Sequence, residues 1–264
     1  MHIDLSKRRA IVTGSTAGIG LAIASGLAAT GAEVVITGRT QARVDAAMAS
    51  IGKQPSGAKL RGLAADLGTR EGAEQLIAAV PETDILVNNL GIFEPKAFFD
   101  IPDEDWVRFF EINVMSGVRL SRHYAQGMAR RGWGRVQFIS SESAVQIPAE
   151  MVHYGMTKTA GLAISRGLAE TLAGTGVTVN AILPGPTRSE GVGDFFGKIA
   201  AEKGVPLDEV ERDFIATHRP SSLIKRLASV EEVANLAVYL ASEQASATTG
   251  AAMRVDGGVV RSVI

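Results

Sequence analysis

A glycine-rich turn between an apolar strand and an apolar helix constrains this chain more than any other feature. Residues 9–13 form a strand-like run that ends at Gly14, and the spacing G-x-x-x-G-x-G places Gly18 and Gly20 at the start of the following helix. Glycines there allow a tight turn, close approach of a pyrophosphate, and close packing of helix on strand. The free N–H groups and dipole of the helix favour an anion. We expect a mononucleotide-binding βαβ unit, the alternative being a glycine turn that serves packing alone.

Seven short apolar runs alternate with helical stretches along the chain. They cover residues 11–13, 33–37, 60–65, 84–89, 135–140, 177–183 and 252–256. This alternation predicts an α/β fold with a doubly wound parallel sheet between two layers of helices, the three-layer Rossmann fold. The runs are short and continuous, which fits burial on both faces of the sheet. With 264 residues, 46% of them hydrophobic, we expect one domain spanning residues 1–264.

Composition excludes several classes of function. A formal net charge of −1 provides no electrostatic footprint for nucleic acid or an anionic membrane. The chain has no cysteine, and its four histidines lie far apart without metal-ligand spacing, so we expect no metal site. The N-terminus enters a strand directly without an apolar signal segment, and the helix after Gly20 is interrupted by small polar residues. We therefore expect a cytoplasmic protein.

A second motif carries chemistry. Tyr154 and Lys158 are four residues apart, on one face of a predicted helix, and Ser141 lies near the end of an apolar strand, thirteen residues before the tyrosine. A free tyrosine, with a pKa of about 10, is a poor acid-base group at neutral pH unless a nearby cation stabilises its phenolate. Lys158 would be that cation, and Ser141 would hold a substrate oxygen. The alternative is a chance pair of solvated side chains.

Together these motifs resemble the short-chain dehydrogenase/reductase family, and the resemblance covers nearly the whole chain. Residues 13–20 match its Thr-Gly-x-x-x-Gly-Ile-Gly turn. The segment with Asn88, Asn89 and Gly91 matches its Asn-Asn-Ala-Gly motif, with Leu90 in place of alanine. The catalytic positions of the family fall on Asn113, Ser141, Tyr154 and Lys158.

The resemblance implies a nicotinamide-dependent oxidoreductase. Asn113 would hold a water that links Lys158 to solvent. It implies a homotetramer paired through the long helices at residues 103–130 and 153–174, and a small-molecule substrate. The implied cofactor contacts are Gly14, Ser15, Thr16, Gly18, Ile19, Gly20, Arg39, Asp66, Leu67, Asn89, Gly91, Tyr154, Lys158, Pro184, Gly185, Thr187 and Ser189.

The end of the second strand bears on the choice between NADP and NAD. An acidic residue there would bind the ribose of NAD, but this chain has Gly38 followed by Arg39, whose guanidinium can pair with a 2′-phosphate. We expect NADP, with NAD as the alternative if Arg39 stacks on adenine or is merely solvated. Ala17 offers no basic partner in the glycine turn. Asp66 resembles the family residue that contacts adenine, and a helix N-cap is its other interpretation.

Residues 189–229 interrupt the alternation of strands and helices. Mixed charges and glycines, beside the expected nicotinamide end of the cleft, suggest a helical substrate lid; a surface insertion without a role is the alternative. His153 is expected to be a packing or surface residue. Glu142 and Glu150 could line a pocket, but carboxylates of an exposed loop are the preferred interpretation.

These observations predict an enzyme that moves a hydride between a nicotinamide and a carbonyl carbon, with tyrosine as the acid-base group. An alternative is a reductase of 3-oxoacyl thioesters on an acyl carrier protein, for which a cluster of Arg130, Arg131 and Arg135 is the hint. An alternative of another class is a catalytically idle nucleotide-sensing protein on the same fold.

Overall fold

The computed structural model of the chain describes residues 2–53 and 57–263, except the side chains of residues 194 and 195. Strands and helices alternate through most of these ranges. The strands are β1 (Arg9–Val12), β2 (Glu33–Gly38), β3 (Lys59–Ala64), β4 (Ile85–Asn88), β5 (Gly134–Ile139), β6 (Val177–Pro184), β7 (Thr187–Arg188), β8 (Ala228–Ser229) and β9 (Ala252–Val255). The helices are α1 (Gly18–Ala29), α2 (Gln41–Gly52), α3 (Arg70–Ala79), α4 (Asp103–Phe110), α5 (Ser116–Arg131), α6 (Val152–Thr171), α7 (Glu190–Lys203), α8 (Leu207–His218) and α9 (Val230–Leu240).

Seven strands form one parallel sheet in the order β3-β2-β1-β4-β5-β6-β9. Val12 of β1 is in register with Ile36 on one side and with Val87 on the other. The chain runs outward from β1 to β3 and then returns to place β4 on the other side of β1. This reversal opens a crevice at the carboxyl ends of β1 and β4, the place where such sheets bind ligands. The predicted doubly wound parallel sheet is confirmed.

Helices cover both faces of the sheet, which explains the continuous apolar strands. Along β2, Val34 and Ile36 face one core layer and Val35 the other, because successive strand residues point to opposite faces. Helices α1 and α9 close the first layer with residues such as Ile23 and Val233. Helices α3 and α5 contribute to the second layer. All five of these side chains are fully shielded from solvent.

The helix ends correct one sequence interpretation. Asp66 is not the N-cap of α3, because the cap is Thr69, whose hydroxyl accepts a hydrogen bond from Gly72 N at 3.0 Å. The carboxylate of Asp66 instead accepts from Gly68 N at 3.0 Å and remains near the end of β3. None of the helices in residues 2–53 and 57–263 is long and apolar enough to cross a membrane.

The predicted long helix at residues 103–130 contains an irregularity. A π-helical turn, Glu111–Met115, separates α4 from α5 and carries Asn113. An inserted turn of this kind widens the helix locally and is frequent at functional sites.

The predicted lid is helical and consists of α7 and α8. These helices share a small apolar cluster of Phe196, Val210, Ile215 and Leu227, separate from the two main core layers. A parallel pair that the sequence did not predict, β7 with β8, joins the two ends of the segment. The segment predicted to be a lid therefore has its own core and a fixed base beside the crevice.

Candidate active site

The glycine turn after β1 is held against β4 by an asparagine. Gly14 and Gly18 have φ values of 63° and 55°, the left-handed region that favours glycine. The side-chain amide of Asn89 donates to the carbonyl oxygens of Thr13 at 2.9 Å and Gly14 at 3.2 Å. A Cβ on Gly20 would lie 2.4 Å from both the Asn89 amide nitrogen and the Gly14 oxygen. The start of α1 can therefore approach the turn only because residue 20 is glycine.

Ser15 lies in this turn but serves the sheet. Its hydroxyl donates to Val12 O at 2.8 Å and accepts from Thr37 N at 2.9 Å, and its own N–H donates to Thr37 O at 3.1 Å. The residue is fully buried. The Ser15 hydroxyl therefore braces β1 against β2 in this structure, and we propose that it does so in place of its predicted contact with the cofactor.

The first turn of α1 is open to a ligand. Ala17 occupies the N-cap and provides no side-chain hydrogen bond. The first N–H groups of a helix have no partner within the helix, and its dipole is positive at this end. The turn is therefore suited to hold an anion such as a pyrophosphate.

A cavity of about 470 Å³, the β2 cavity, lies at the carboxyl ends of β1, β2 and β3. The predicted residues that line it are Gly14, Thr16, Arg39, Asp66, Leu67, Asn89 and Gly91. Arg39 is exposed, and among the described residues its guanidinium has no hydrogen-bond partner. A Cβ on Gly38 would lie 2.4 Å from Thr16 Cγ2, so an acidic side chain fits there only if Thr16 turns away.

Arg43 is a second cation on the same wall, which the sequence reasoning missed. It lines the β2 cavity from the first turn of α2. Its guanidinium lies 3.3 Å from the carboxylate of Glu190, at the start of lid helix α7, and both side chains are more than half exposed. The position of Arg43, four residues after Arg39, was the available signal. Arg39 and Arg43 thus place two cations on the wall of the β2 cavity.

A second cavity of about 260 Å³, the Tyr154 cleft, lies between the sheet and the lid. The predicted residues that line it are Ile19, Asn89, Gly91, Ser141, Tyr154, Lys158, Pro184, Gly185, Thr187 and Ser189. Asn89 and Gly91 line both cavities, so the two adjoin at the end of β4. An elongated ligand can therefore run from the β2 cavity, past the start of α1, into the Tyr154 cleft.

The segment after β6 forms one wall of this cleft. Gly185 N donates to Val255 O at 3.0 Å, and a Cβ on Gly185 would lie 2.6 Å from the backbone oxygen of Asp256. Thr187 is buried and donates its hydroxyl to Gly185 O at 2.9 Å. Ser189 N donates to Thr187 O at 2.8 Å. These contacts fix the turn that leads into the lid.

Tyr154 and Lys158 lie on one face of α6, as their spacing predicts. Lys158 is buried and donates from Nζ to Ile139 O at 3.0 Å, with Nζ 5.5 Å from the centre of the Tyr154 ring. Burial lowers the pKa of Lys158 from 10.5 to about 8. Burial also raises the pKa of Tyr154 and the charge of Glu142 adds to the rise, while Ser141 and Arg219 oppose it. Tyr154 is therefore protonated at neutral pH in this structure.

Asn113 reaches the same region from the π-helical turn. Its Nδ2 donates to Ile92 O and to Thr157 Oγ1, both at 3.0 Å, and its Oδ1 accepts from Ile92 N at 2.7 Å. It shares with Lys158 the lining of a small cavity behind the Tyr154 cleft. The four predicted catalytic residues thus meet at the carboxyl edge of β4 and β5.

The expectation that Glu142 belongs to an exposed loop was wrong. Glu142 is 4% exposed and lines the Tyr154 cleft, where its carboxylate pairs with Nε of Arg219 at 2.9 Å. Arg219, in the lid after α8, is 7% exposed and is a site residue that the sequence reasoning missed. It also lies 3.3 Å from Glu150, whose side chain is 41% exposed.

The other polar residues are structural. His153 is fully buried and packs 4.1 Å, centroid to centroid, from Phe109, as its packing interpretation predicted. Arg135 is buried at the start of β5 with its guanidinium 4.3 Å from the centre of the Trp133 ring. Arg131 donates to Thr83 O at 2.6 Å. Two of the three clustered arginines are thus bonded within the protein, near the amino ends of the strands and away from the cleft.

These features fit a dinucleotide cofactor. The two adjoining cavities, the uncapped start of α1 between them, and the glycines whose Cβ atoms would meet the backbone form a continuous cradle. Asp66 and Arg39 lie at one end of the cradle, and Tyr154 with Lys158 at the other.

Comparisons with known proteins agree with this geometry. The family model described as Enoyl-(Acyl carrier protein) reductase matches residues 14–260. The chain is 50% identical over 263 residues to the Uncharacterized oxidoreductase YvaG of Bacillus subtilis (strain 168), with 100% of each chain covered. It matches the crystal structure of L-sorbose reductase from Gluconobacter frateurii complexed with NADPH and L-sorbose, with a TM-score of 0.92, 33% identity and 100% of both chains covered.

A further solved structure, a short chain dehydrogenase/reductase family protein, matches with a TM-score of 0.84, 35% identity and 98% of each chain covered. The family model and these relatives each span nearly all of the chain. The strands of the seven-stranded sheet described above are distributed over the same length. The chain therefore belongs to the short-chain dehydrogenase/reductase family of NAD(P)-dependent oxidoreductases.

Proposed function

We propose that this protein interconverts a ketone or aldehyde and the corresponding alcohol, with Tyr154 as the acid-base group. The observation that carries the proposal is the convergence of Ser141, Tyr154 and Lys158 on one cleft beside the start of α1. The nicotinamide supplies or accepts the hydride at its C4 when bound. The residues of the chain bind the reactants, orient them and move one proton.

In the reductive direction, Tyr154 donates its proton to the carbonyl oxygen. Burial raises the pKa of Tyr154, so the hydroxyl is protonated at neutral pH before the reaction, and release of this proton depends on a cation that stabilises the phenolate. Ser141 orients the carbonyl oxygen through its hydroxyl. Lys158 is the cation that stabilises the phenolate left on Tyr154, and it also binds the ribose next to the nicotinamide.

Asn113 positions the path by which Tyr154 regains its proton. Both hydrogens of its amide are bound within the protein, and Asn113 lines a small cavity together with Lys158. A water held there would connect Lys158 with solvent. The family resemblance implies this role for Asn113, and the position of Asn113 on the π-helical turn supports it.

We propose NADP as the preferred cofactor, with NAD as the alternative. Arg39 and Arg43 place two guanidinium groups on the wall of the β2 cavity, and no acidic side chain stands at the end of β2. A guanidinium binds a phosphate through charge-assisted hydrogen bonds, bidentately where the geometry allows. The NADPH bound in the related L-sorbose reductase supports this choice.

The alternative substrate is a 3-oxoacyl thioester, a choice supported by a relative, the 3-oxoacyl-[acyl-carrier-protein] reductase FabG of Aquifex aeolicus (strain VF5), to which the chain is 32% identical over 263 residues. The clustered arginines do not support it, because Arg131 and Arg135 are bonded within the protein at the opposite end of the sheet. A nucleotide-sensing protein without activity would not require the catalytic set to be intact. All three possibilities are separable by one assay.

The test is a panel of carbonyl compounds and acyl thioesters, assayed with NADPH and with NADH by nicotinamide absorbance. We expect oxidation of NADPH with a ketone or aldehyde and a higher kcat/KM for NADPH than for NADH. Turnover of acyl thioesters alone would select the alternative enzyme. Tight binding of either nicotinamide without turnover of any compound would select the sensing protein.

A further inference from the structure

A buried ion pair in the Tyr154 cleft is not used by the mechanism above. The carboxylate of Glu142 and the guanidinium of Arg219 are almost completely buried, and both line the cleft beside Ser141. An apolar pair of similar volume would often stabilise a fold as well or better, because two charges must be removed from water. Stability is therefore a weak explanation for this pair, and recognition of a polar substrate is a stronger one.

The hydrogen of the Ser141 hydroxyl is committed to this pair. Ser141 Oγ donates to Glu142 Oε2 at 2.5 Å and accepts from Ser143 N at 3.1 Å. A serine has one hydroxyl hydrogen. While Glu142 holds it, Ser141 has none to donate to a carbonyl oxygen, which its role in the reaction requires.

Arg219 holds the carboxylate of Glu142 in place next to the Ser141 hydroxyl. Its Nε holds the other carboxylate oxygen, Oε1, at 2.9 Å, while its Nη1 donates to His218 O at 2.8 Å and reaches Glu150 at 3.3 Å. Glu142 Oε2 is consequently a fixed acceptor next to Ser141 Oγ. When Ser141 turns to the substrate, this oxygen needs a new donor, since a buried polar group without a partner is costly.

Building on the proposed reductase function, we propose that the substrate supplies this donor, and that the enzyme is selective for ketones with a hydroxyl on the adjacent carbon. The hydroxyl of such an α-hydroxyketone donates to Glu142 Oε2, and the hydrogen of Ser141 then turns to the neighbouring carbonyl oxygen. The two substrate oxygens lie side by side, as Ser141 Oγ and Glu142 Oε2 do. Glu142 and Arg219 are thus specificity-determining residues.

The reaction balances without a further reagent. The hydride of NADPH forms the new C–H bond at the carbonyl carbon, and the proton of Tyr154 forms the O–H bond at the former carbonyl oxygen. The product is a vicinal diol, NADPH is oxidised to NADP⁺, and Tyr154 is reprotonated from solvent. The hydroxyl bound to Glu142 is unchanged.

The test compares butanone with acetoin, which differs from it by one hydroxyl next to the carbonyl. We expect kcat/KM with NADPH to favour acetoin by about ten- to a hundredfold or more, the effect of leaving a buried acceptor unpaired. 4-Hydroxybutan-2-one is an isomer of acetoin whose hydroxyl is one carbon further from the carbonyl. It should not share this preference.

Because a hydroxyl also activates the carbonyl electronically, the decisive quantity is the change of the acetoin-to-butanone ratio in Glu142→Gln. An amide can donate to Ser141 Oγ, which frees the serine hydrogen for a plain ketone. We expect the acetoin-to-butanone ratio to fall at least about tenfold. The matched control is Glu150→Gln, which alters the other carboxylate beside Arg219 and should preserve the ratio.

A ratio that is the same in Glu142→Gln and in the unmodified protein, while both reduce ketones, would overturn the inference and leave the proposed function intact. Absence of NADPH and NADH oxidation with every carbonyl compound would overturn both. If Glu142→Gln does not fold, Glu142→Asp provides the test, because withdrawing the carboxylate by one methylene should lower the ratio in the same way.

Discussion

Lys158 is a buried cation whose position lowers the stability of the cofactor-free protein. Its side chain is enclosed at the base of the Tyr154 cleft and donates to Ile139 O at 3.0 Å. Burial lowers its pKa from 10.5 to about 8. A shift of this size corresponds to a free-energy cost of about 3 kcal/mol for keeping the ammonium charged in the folded state at neutral pH.

Replacing Lys158 with Met removes the charge and keeps an unbranched side chain of similar length. The lost hydrogen bond to Ile139 offsets about 1 kcal/mol of the gain. We therefore expect the free energy of unfolding of Lys158→Met to rise by about 2 kcal/mol at pH 7 in urea denaturation. We expect turnover to be lost and cofactor binding to weaken, because the lysine binds the ribose.

The stability difference between Lys158→Met and the unmodified protein should depend on pH. The folded-state pKa of Lys158 is depressed, so between pH 8 and 10.5 the unfolded chain holds the extra proton and the unmodified protein gains stability as pH rises. The advantage of Lys158→Met should shrink across that interval. The control is Lys198→Met, at an exposed position of α7, which should change stability little. A destabilised Lys158→Met, or an advantage independent of pH, would refute the reasoning.

Three further predictions concern other parts of the molecule. Arg39→Ala should raise KM for NADPH about tenfold with little change in KM for NADH. Arg43→Ala should have a smaller effect, because Glu190 also pairs with the Arg43 guanidinium. Equal effects on KM for both nicotinamides would contradict recognition of the phosphate. Ser15→Ala should lower the free energy of unfolding by about 1–3 kcal/mol, by leaving Thr37 N unpaired, and should spare cofactor affinity as measured by fluorescence titration. Sedimentation at micromolar concentration should show the tetramer that the family resemblance implies, and a monomer would contradict that expectation.

The sheet and the glycine turn could be predicted from sequence because their causes are local. Strands buried on both faces read as continuous apolar runs, and a turn with positive φ at Gly14 and Gly18 requires glycine. Tyr154 and Lys158 meet for a local reason also, since residues four apart share a helix face.

The remainder of the site depends on contacts between distant segments. Glu142 and Arg219 are 77 positions apart, and nothing in either neighbourhood distinguishes a buried ion pair from two solvated charges. The π-helical turn that carries Asn113 has no local signal, because the residues around it suit an ordinary helix. The hydroxyl of Ser15 could be assigned to the sheet only when β2 was seen beside β1.

The central claim, that Tyr154 is the group that moves the proton, is tested most directly by the turnover of Tyr154→Phe with NADPH and its best ketone substrate. The substitution removes one hydroxyl, so we expect kcat to fall by about 10²–10⁴-fold while the dissociation constant of NADPH stays near that of the unmodified protein. Tyr124→Phe is the matched control: its buried hydroxyl donates to Val80 O at 2.7 Å, outside the cleft, and kcat should be retained. A kcat for Tyr154→Phe close to that of the unmodified protein would contradict the account.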